Sequence, residues 1–413
     1  MQYRIRELPN GIRFIHCPST SRVAHLAVYI DAGSRDERAH EHGIAHFIEH
    51  MAFKGTSHRK AYHILNRLDS VGGDLNAFTT KEHTCLYASF LTGYEKRAAE
   101  LFSDIILHSV FPEKEITKEK GIVLDEINTY KDSPSEAIFD DFEELLFDGH
   151  PLGRNILGSP ESVEEISKRQ IIRFIQRNYS TLRMVIAYTG PMENLKVGNL
   201  LQHQFETVPW QSPDRAREPF NGHNPGRRVE QKMTHQTHAV TGTIAYPMGH
   251  PRSTALHLLN NMIGGPGSNS RLNMALRERK GYTYHVESNY QPFSDTGYFN
   301  IYLGITSHNP NPALEMVYKE LSVFTKEPLG SLQLHRAKTQ LAGQLALAYE
   351  SKLNETLSVG KRLLHNQEVE TAEEIILKIE KLSSGDVLEA ARELLIRERF
   401  TELIYPAGSY EPQ

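Results

Sequence analysis

Five consecutive residues, His46-Phe47-Ile48-Glu49-His50, combine the residue types that bind a metal ion and move a proton. On an α-helix, residues four apart lie on one face about one turn from each other, so His46 and His50 can share a single ion. Glu49 lies on the same side, where its carboxylate can bond a metal-bound water and take its proton. The run inverts the His-Glu-x-x-His order of zinc peptidases, and it predicts metal-assisted hydrolysis.

A catalytic zinc site also needs a third protein ligand and an open position for water. The best candidates are Glu119 and Glu126, which lie seven residues apart in the predicted helix 113–130 and share one face over two turns. One of them can bind the metal while the other supports the site by hydrogen bonding. The alternatives are an ordinary solvent-exposed acidic face and, for the pentapeptide, two surface histidines.

The elements that must position these residues fall into two halves. A chain of 413 residues suits two domains of about 200 residues each. The stretch 210–228 is rich in proline and glycine and has no apolar period, as is typical of a linker. We therefore predict domains at residues 1–212 and 229–413, joined by a linker at 213–228. Long helical runs between the strands favour α+β domains, with mixed sheets covered by helices, over a doubly wound parallel sheet.

The two halves repeat one pattern. In the first half, the strand-like run 24–30 leads to the helix that contains residues 46–51. In the second half, the run 239–245 leads to a helix in which residues 257–262 align with the motif, but Asn-Asn replaces Glu-His. A duplication explains the pattern, and generic α+β patterning is the alternative. If the halves are duplicates, the second half should bind no zinc of its own.

Composition limits the function classes. A net charge of −5 gives no electrostatic case for binding nucleic acid or an anionic membrane. Two cysteines do not make a disulfide framework, and they do not form a Cys-x-x-Cys metal pair. No apolar stretch is long enough for a membrane span, and none resembles a signal peptide at the start of the chain. We expect a soluble cytoplasmic protein without membrane insertion.

The residues quoted above carry a family likeness. The chain resembles the pitrilysin family of zinc metallopeptidases, the inverzincins, and within it the bacterial subfamily similar to mitochondrial processing peptidase. The likeness runs from residues 8–11 through 43–56 into the second half, and covers nearly the whole chain. It implies a clam-shell of two homologous α+β domains with one zinc ion per chain. The family's third ligand is a glutamate 76 residues beyond the second histidine, which is the place of Glu126 here.

The resemblance thus implies a set of site residues: His46, His50 and Glu126 as zinc ligands, Glu49 as general base, and Glu119 as the family pattern's other glutamate. Residues 72–80 resemble the family's substrate-facing edge strand, which implies that Asn76 and Ala77, beside Phe78, contact the peptide substrate. Without the resemblance they belong to an ordinary strand.

A second-half segment, 276–284, resembles the family's Arg…Tyr element. The likeness implies that Arg277 and Tyr284 donate hydrogen bonds to the substrate carbonyl and its tetrahedral intermediate. Tyr282 is a nearby alternative to Tyr284, although the spacing from the arginine favours Tyr284.

The function implied by the resemblance is a zinc-dependent metalloendopeptidase that hydrolyses peptides or short unfolded segments in an enclosed chamber. Relatives of double this length enclose the chamber with four such domains, so this two-domain chain is expected to form a homodimer or a heterodimer with a related subunit. The alternative is a catalytically silent structural or partner subunit of the same fold. That alternative is disfavoured because all three ligands and the base are present.

Overall fold

The computed structural model describes residues 3–208 and 216–408, which fall into two compact units. Each unit contains one mixed β-sheet covered by helices, so the predicted α+β fold with two domains is confirmed. None of the helices in the described ranges is both long and apolar enough to cross a lipid bilayer. The two units are built from the described parts of these segments: Met1–Ile127, Arg154–Glu218 and Leu347–Thr371 in unit 1, and Asn128–Gly153, Pro219–Ala346 and Ala372–Gln413 in unit 2.

The sheet of unit 1 has its strands in the order β1-β2-β6-β3-β5-β4. The pair β2–β6 is parallel and the other pairs are antiparallel. Strand β4 ends the sheet, as expected for the predicted edge strand. In chain order the strands are β1 Arg4–Glu7, β2 Arg13–Pro18, β3 Val23–Ile30, β4 Asp74–Thr79, β5 Thr84–Leu91 and β6 Met184–Gly190.

The sheet of unit 2 has the order β7-β11-β8-β10-β9, with β7–β11 parallel and the other pairs antiparallel. This order and these directions repeat those of β2-β6-β3-β5-β4 in unit 1. The shared topology supports the predicted duplication over generic patterning. The strands are β7 Arg227–Val229, β8 Thr237–Ala245, β9 Thr283–Pro292, β10 Gly297–Ile305 and β11 Thr401–Tyr405.

The helices carry most of the remaining described chain. Several of them pack against the sheets, and the predicted helix 113–130 is confirmed as α4. In chain order they are α1 Ile44–Met51, α2 Ala61–Asp69, α3 Glu95–His108, α4 Glu113–Lys131, α5 Pro134–Leu146, α6 Pro160–Glu165, α7 Lys168–Asn178, α8 Asn194–Phe205, α9 Ser253–Gly264, α10 Asn311–Lys326, α11 Ser331–Tyr349, α12 Lys352–Leu364, α13 Ala372–Lys381 and α14 Ser384–Leu394.

Two helices belong to the unit formed mainly by the other half of the sequence. Helix α12 packs on β2, β3 and β6 of unit 1, where Val359 and Leu363 join an apolar cluster. Helix α5 packs on β8 and β11 of unit 2, where Ile138 and Phe142 are buried. At these two helices the compact units therefore differ from the predicted domains, 1–212 and 229–413. The apolar stripe of each helix packs against the sheet that is formed mainly by the other half of the sequence.

The predicted linker, 213–228, is only partly described, since residues 213–215 lie outside the described ranges. Residues 216–226 form no helix or strand. The last two residues of the predicted linker, 227 and 228, are the first two residues of β7. Arg217 anchors the segment to unit 1, with its guanidinium 2.6 Å from Asp31 Oδ1 and 3.0 Å from Asp36 Oδ1. These ion pairs hold the chain at Arg217 against unit 1.

His83 is a buried histidine in unit 1, with 3% of its surface exposed. Its ring packs beside Tyr29, with centroids 5.5 Å apart, and its Nδ1 lies 3.1 Å from Thr80 Oγ1. Burial, together with the positive charge of Lys361, lowers the pKa of His83 well below the usual value for histidine. The folded protein therefore keeps this imidazole neutral at pH values where the unfolded chain protonates it.

We expect the free energy of unfolding to fall as the pH drops below about 6.5, the ordinary histidine pKa. Above that pH, His83 is neutral in both states. Below it only the unfolded chain takes up the proton, which costs the fold about 1.4 kcal/mol per pH unit. Urea titrations between about pH 7 and pH 5 should show a weaker pH dependence for His83→Gln than for wild type. The exposed control His335→Gln should match wild type, and an unchanged pH dependence in His83→Gln would refute the assignment.

Candidate metal centre and active site

Helix α1 carries the predicted motif and is held in place by its core packing and by contacts at its start. Phe47 and Met51 are fully buried in the core of unit 1, whereas Glu49 and His50 are only partly buried. The helix begins after Gly43, whose φ of 87° is left-handed. A Cβ at Gly43 would lie 2.6 Å from the carbonyl oxygen of Leu157, so only glycine fits this start.

Glu37 holds the N-terminus of α1. Its Oε2 accepts a hydrogen bond from the Gly43 N–H, and its Oε1 accepts one from the Ala45 N–H, each at 2.9 Å. Burial raises the pKa of Glu37 to about 8, against the effect of the two N–H groups. Glu37 is absent from the sequence-based candidates. Glu37 lies six positions before Gly43, which is outside the local capping patterns that a sequence reveals.

His46, His50 and Glu126 converge on one point, as the sequence predicted. Glu126 Oε2 lies 3.7 Å from His46 Nε2 and 3.6 Å from His50 Nε2, and one ligand atom from each residue lies within 4.8 Å of the others. Burial, and then the neighbouring His50, lowers the pKa of His46 to about 4. His46 is therefore neutral near pH 7, which is the form that binds a metal ion.

Glu119 lies on the side of the His50 ring that is opposite Glu126. Its side chain is 1% exposed, and its Oε2 lies 3.3 Å from His50 Nδ1, the ring nitrogen that faces away from Glu126. The other oxygen forms an ion pair with Lys54, 2.7 Å away. The two helical glutamates therefore differ in their contacts: Glu126 faces both imidazoles, and Glu119 contacts one of them from the other side. Their roles as ligand and supporting residue stay predictions.

The cluster fits a zinc ion. Two imidazole nitrogens and one carboxylate oxygen are the ligands that zinc prefers, and the three atoms are close enough for bonds of about 2.0–2.2 Å to one ion. Of the two histidines, only His50 has a partner on its second ring nitrogen among the residues that the structure describes. The buried Nδ1 of His46 makes no hydrogen bond within the described residues. With three protein ligands, a fourth position stays open for water or substrate.

Glu119→Gln should weaken metal binding by about 10- to 100-fold, because outer partners of ligating histidines contribute that much to affinity. The substitution keeps the size of the side chain but removes the charge that pairs with Lys54 and orients His50. A competition titration against a chelating dye measures the change. Glu113→Gln, an exposed site at the start of the same helix, is the control. Equal affinities in both variants would refute the orienting role.

Glu49 lies beside the metal cluster and lines an apolar cavity of about 190 Å³. Burial raises the pKa of Glu49, against the opposing effects of Thr79 and His50. A carboxyl with a raised pKa, next to a metal cluster that it does not join, is suited to accept and return a proton. Its position agrees with the predicted general base, a role that stays a prediction.

The predicted substrate residues lie on the edge strand β4, which packs beside α1. Ala77 packs on the core cluster that includes α1, whereas Phe78 points to the opposite face, with its ring 6.4 Å from that of Tyr29. The Asn76 amide donates a hydrogen bond to Asp74 Oδ2 at 2.8 Å. The side chain of Phe78 is thus turned away from α1, and the contact of these three residues with a peptide stays a prediction.

Arg277 and Tyr284 both lie in unit 2. Arg277 is exposed and belongs to a single π-helical segment, Asn273–Glu278, a geometry found frequently at functional sites. Tyr284 is exposed, and its ring covers Gly304 so closely that a Cβ there would lie 2.3 Å from it. Tyr282, the alternative, packs against the core of unit 2. The contribution of Arg277 and Tyr284 to catalysis stays a prediction.

Comparisons with known proteins identify a family and relatives for this chain. A family model described as insulinase, peptidase family M16, matches residues 15–160, and a model described as the peptidase M16 inactive domain matches residues 165–341. The chain is 32% identical over 402 residues to the uncharacterized zinc protease YmxG of Bacillus subtilis, with 97% of each chain covered. It is 30% identical to an uncharacterized zinc protease of Mycobacterium leprae, covering 97% of this chain and 91% of that one.

Two solved structures share the fold. A Pseudomonas fluorescens protein described as a peptidase M16 inactive domain superposes with a TM-score of 0.92 at 19% identity, over 100% of both chains. A protease from Helicobacter pylori superposes with a TM-score of 0.90 at 20% identity, over 98% of this chain and 99% of that one. At these identities the likeness concerns the architecture alone.

Proposed function

Because the chain belongs to the insulinase family of peptidases, family M16, we propose that it is a zinc-dependent endopeptidase acting on peptides and short unfolded segments. The observation that carries the proposal is the convergence of His46, His50 and Glu126, with Glu49 beside them. The names of the relatives agree, since each is called a zinc protease. Zinc held by these three residues would supply a Lewis acid that polarises the scissile carbonyl and acidifies water.

The chain's own residues supply the proton transfers. Glu49 accepts a proton from the attacking water and returns it to the leaving amine nitrogen, a role that its raised pKa favours. Glu119 holds the His50 ring through Nδ1, so that Nε2 stays directed at Glu126. Glu37 fixes the start of α1, which keeps the base and both histidines in one orientation.

Substrate binding follows from the free edge of β4. An extended peptide that pairs with this strand lies beside α1 and therefore beside Glu49. Strand pairing needs an unfolded backbone, so the preferred substrates are flexible peptides instead of folded proteins. Asn76 and Ala77 of this strand would provide hydrogen bonds to the peptide backbone.

Tyr284→Phe tests the contribution of the second half. If Tyr284 donates a hydrogen bond to the developing oxyanion, with Arg277 nearby, its loss should lower kcat by about 10²- to 10³-fold and leave KM nearly unchanged. Tyr282→Phe is the matched control, because Tyr282 packs against the core of unit 2. The measurement is steady-state cleavage of a fluorogenic peptide. A larger kcat loss in Tyr282→Phe than in Tyr284→Phe would reverse the assignment.

A peptide-library digest tests the proposed function. The zinc-loaded chain should cleave unstructured peptides internally, lose the activity with a chelator, and recover it when zinc is returned. His50→Gln, treated in the same way, should stay inactive at every step. Cleavage that resists chelation would contradict the metal requirement. A zinc-loaded wild type with no cleavage of any peptide would favour the catalytically silent subunit.

The enclosed chamber is a further part of the proposal. A chain with two such domains would complete a chamber by forming a homodimer, or a heterodimer with a related subunit. Light scattering coupled to gel filtration, with activity measured across the peak, tests this. Full activity in a monomer peak would contradict it.

A further inference from the structure

We propose that His58, Asp104 and His108 form a second divalent-metal site, separate from the catalytic centre. Within residues 3–208 and 216–408, two sets of histidine and acidic side chains bring three ligand atoms within 4.8 Å of one another, and this is the second. Asp104 and His108 are one turn apart on α3, and His58 lies in the loop before α2. The function proposed above does not use any of them.

One carboxylate oxygen faces both histidines. Asp104 Oδ1 lies 2.6 Å from His58 Nδ1 and 3.3 Å from His108 Nδ1, and the two imidazole rings are 4.5 Å apart. His108 Nδ1 is buried and, in the described part of the chain, makes no hydrogen bond despite this approach. A separation of about 3.3 Å is what two ligands of one tetrahedral zinc ion show. The ion would take the place of the hydrogen bond between His58 and Asp104.

The loop that carries His58 is fixed to the end of α3. Thr56 pairs with Ser109 in an isolated β-bridge, and the Ser57 N–H donates to the His108 carbonyl at 2.8 Å. Thr56 Oγ1 accepts from the His58 N–H at 3.1 Å and donates to Asp104 Oδ2 at 2.8 Å. The ligand-bearing segments are thus held together by the chain itself, which lowers the ordering cost of binding an ion.

The surrounding charges leave Asp104 Oδ1 available. Arg59 pairs with the other oxygen, Oδ2, at 2.6 Å, and it also pairs with Glu100. Arg67 contacts the second oxygen of Glu100 at 2.8 Å. The positive charges of Arg59 and Arg67 therefore balance the negative charges of Glu100 and Asp104 when no ion is bound. Two imidazoles and a carboxylate select zinc or a similar transition metal over calcium or magnesium.

The histidines of this site are more exposed to solvent than those of the catalytic site. The side chains of His58 and His108 are 58% and 41% exposed, whereas that of Asp104 is 5% exposed. An ion there is open to solvent on one side and joins the loop to α3. It would stabilise unit 1 by mass action, since the unfolded chain does not hold these three groups together.

Equilibrium dialysis with zinc, followed by metal analysis, tests the proposal. The wild-type chain should bind two zinc ions. The double variant His58→Gln/His108→Gln should bind one, and so should His46→Gln/His50→Gln, which lacks the catalytic ligands. Zinc should raise the unfolding temperature of His46→Gln/His50→Gln, and removing His58 and His108 in that background should abolish the shift. The exposed control His335→Gln should bind as wild type does.

The outcomes separate the two sites. If His58→Gln/His108→Gln binds as much zinc as wild type, the second site is refuted whatever the catalytic centre does. If His46→Gln/His50→Gln retains all the zinc of wild type, the catalytic assignment fails instead. A folded His58→Gln/His108→Gln protein, judged by its far-ultraviolet circular dichroism, is expected because both histidines are exposed.

Discussion

Glu49→Gln should abolish peptide hydrolysis while the chain keeps its zinc. The amide has the size of the carboxyl group but cannot accept a proton from water, so the rate should fall by about 10²- to 10⁴-fold. Glu49 is not one of the three converging ligands, and zinc affinity should therefore stay close to that of wild type. Steady-state peptide cleavage and metal analysis of the same preparation measure both effects.

Glu49→Asp provides the matched comparison, since it keeps the carboxylate but withdraws it by one methylene. Its rate should lie between those of wild type and Glu49→Gln. Full activity in Glu49→Gln would show that another group moves the proton. Loss of zinc together with loss of activity would show that Glu49 acts as a ligand or maintains the fold of the site.

Glu126→Gln should remove zinc binding and activity together. Glu126 is the carboxylate that faces both imidazoles, and its loss leaves two neutral ligands for a divalent cation. The fall in affinity should exceed the roughly 10- to 100-fold expected for Glu119→Gln, because an outer partner contributes less than a ligand. Titration with a competing chelator compares the two variants directly.

Asp125→Asn is the control for this experiment. It removes a carboxylate from the neighbouring position of α4, which is exposed and lies outside the converging cluster. Asp125→Asn should bind zinc and cleave peptides as wild type does. If both variants lose zinc equally, the effect reflects the charge of the helix and not a bond from Glu126.

The residues on α1 could be predicted from the sequence because their relation is local. A helix fixes the face shared by His46 and His50, whatever the rest of the chain does. The choice between Glu119 and Glu126 could not be made in that way, since both lie on one face of α4. Family resemblance selected Glu126. In the structure, Glu126 faces Nε2 of both histidines, and Glu119 contacts Nδ1 of His50.

Other features depend on contacts that no local pattern encodes. Glu37 bonds the N-terminal N–H groups of α1 across a loop, and the sequence around Glu37 contains no helix-capping pattern that would predict these bonds. Helices α5 and α12 have ordinary apolar stripes, which do not reveal which sheet they cover. The side chain of Phe78 turns away from α1 because alternate residues of a strand face opposite sides. The strand was predicted, but the direction of its side chains depends on the register of the sheet.

Anomalous diffraction at the zinc absorption edge, on crystals of the zinc-loaded Glu49→Gln chain with a bound peptide, tests the central claim most directly. We predict a zinc peak within bonding distance of His46 Nε2, His50 Nε2 and Glu126, with an uncleaved peptide paired along β4. A zinc peak that is absent from these three residues, or a peptide bound away from β4 and α1, would contradict it.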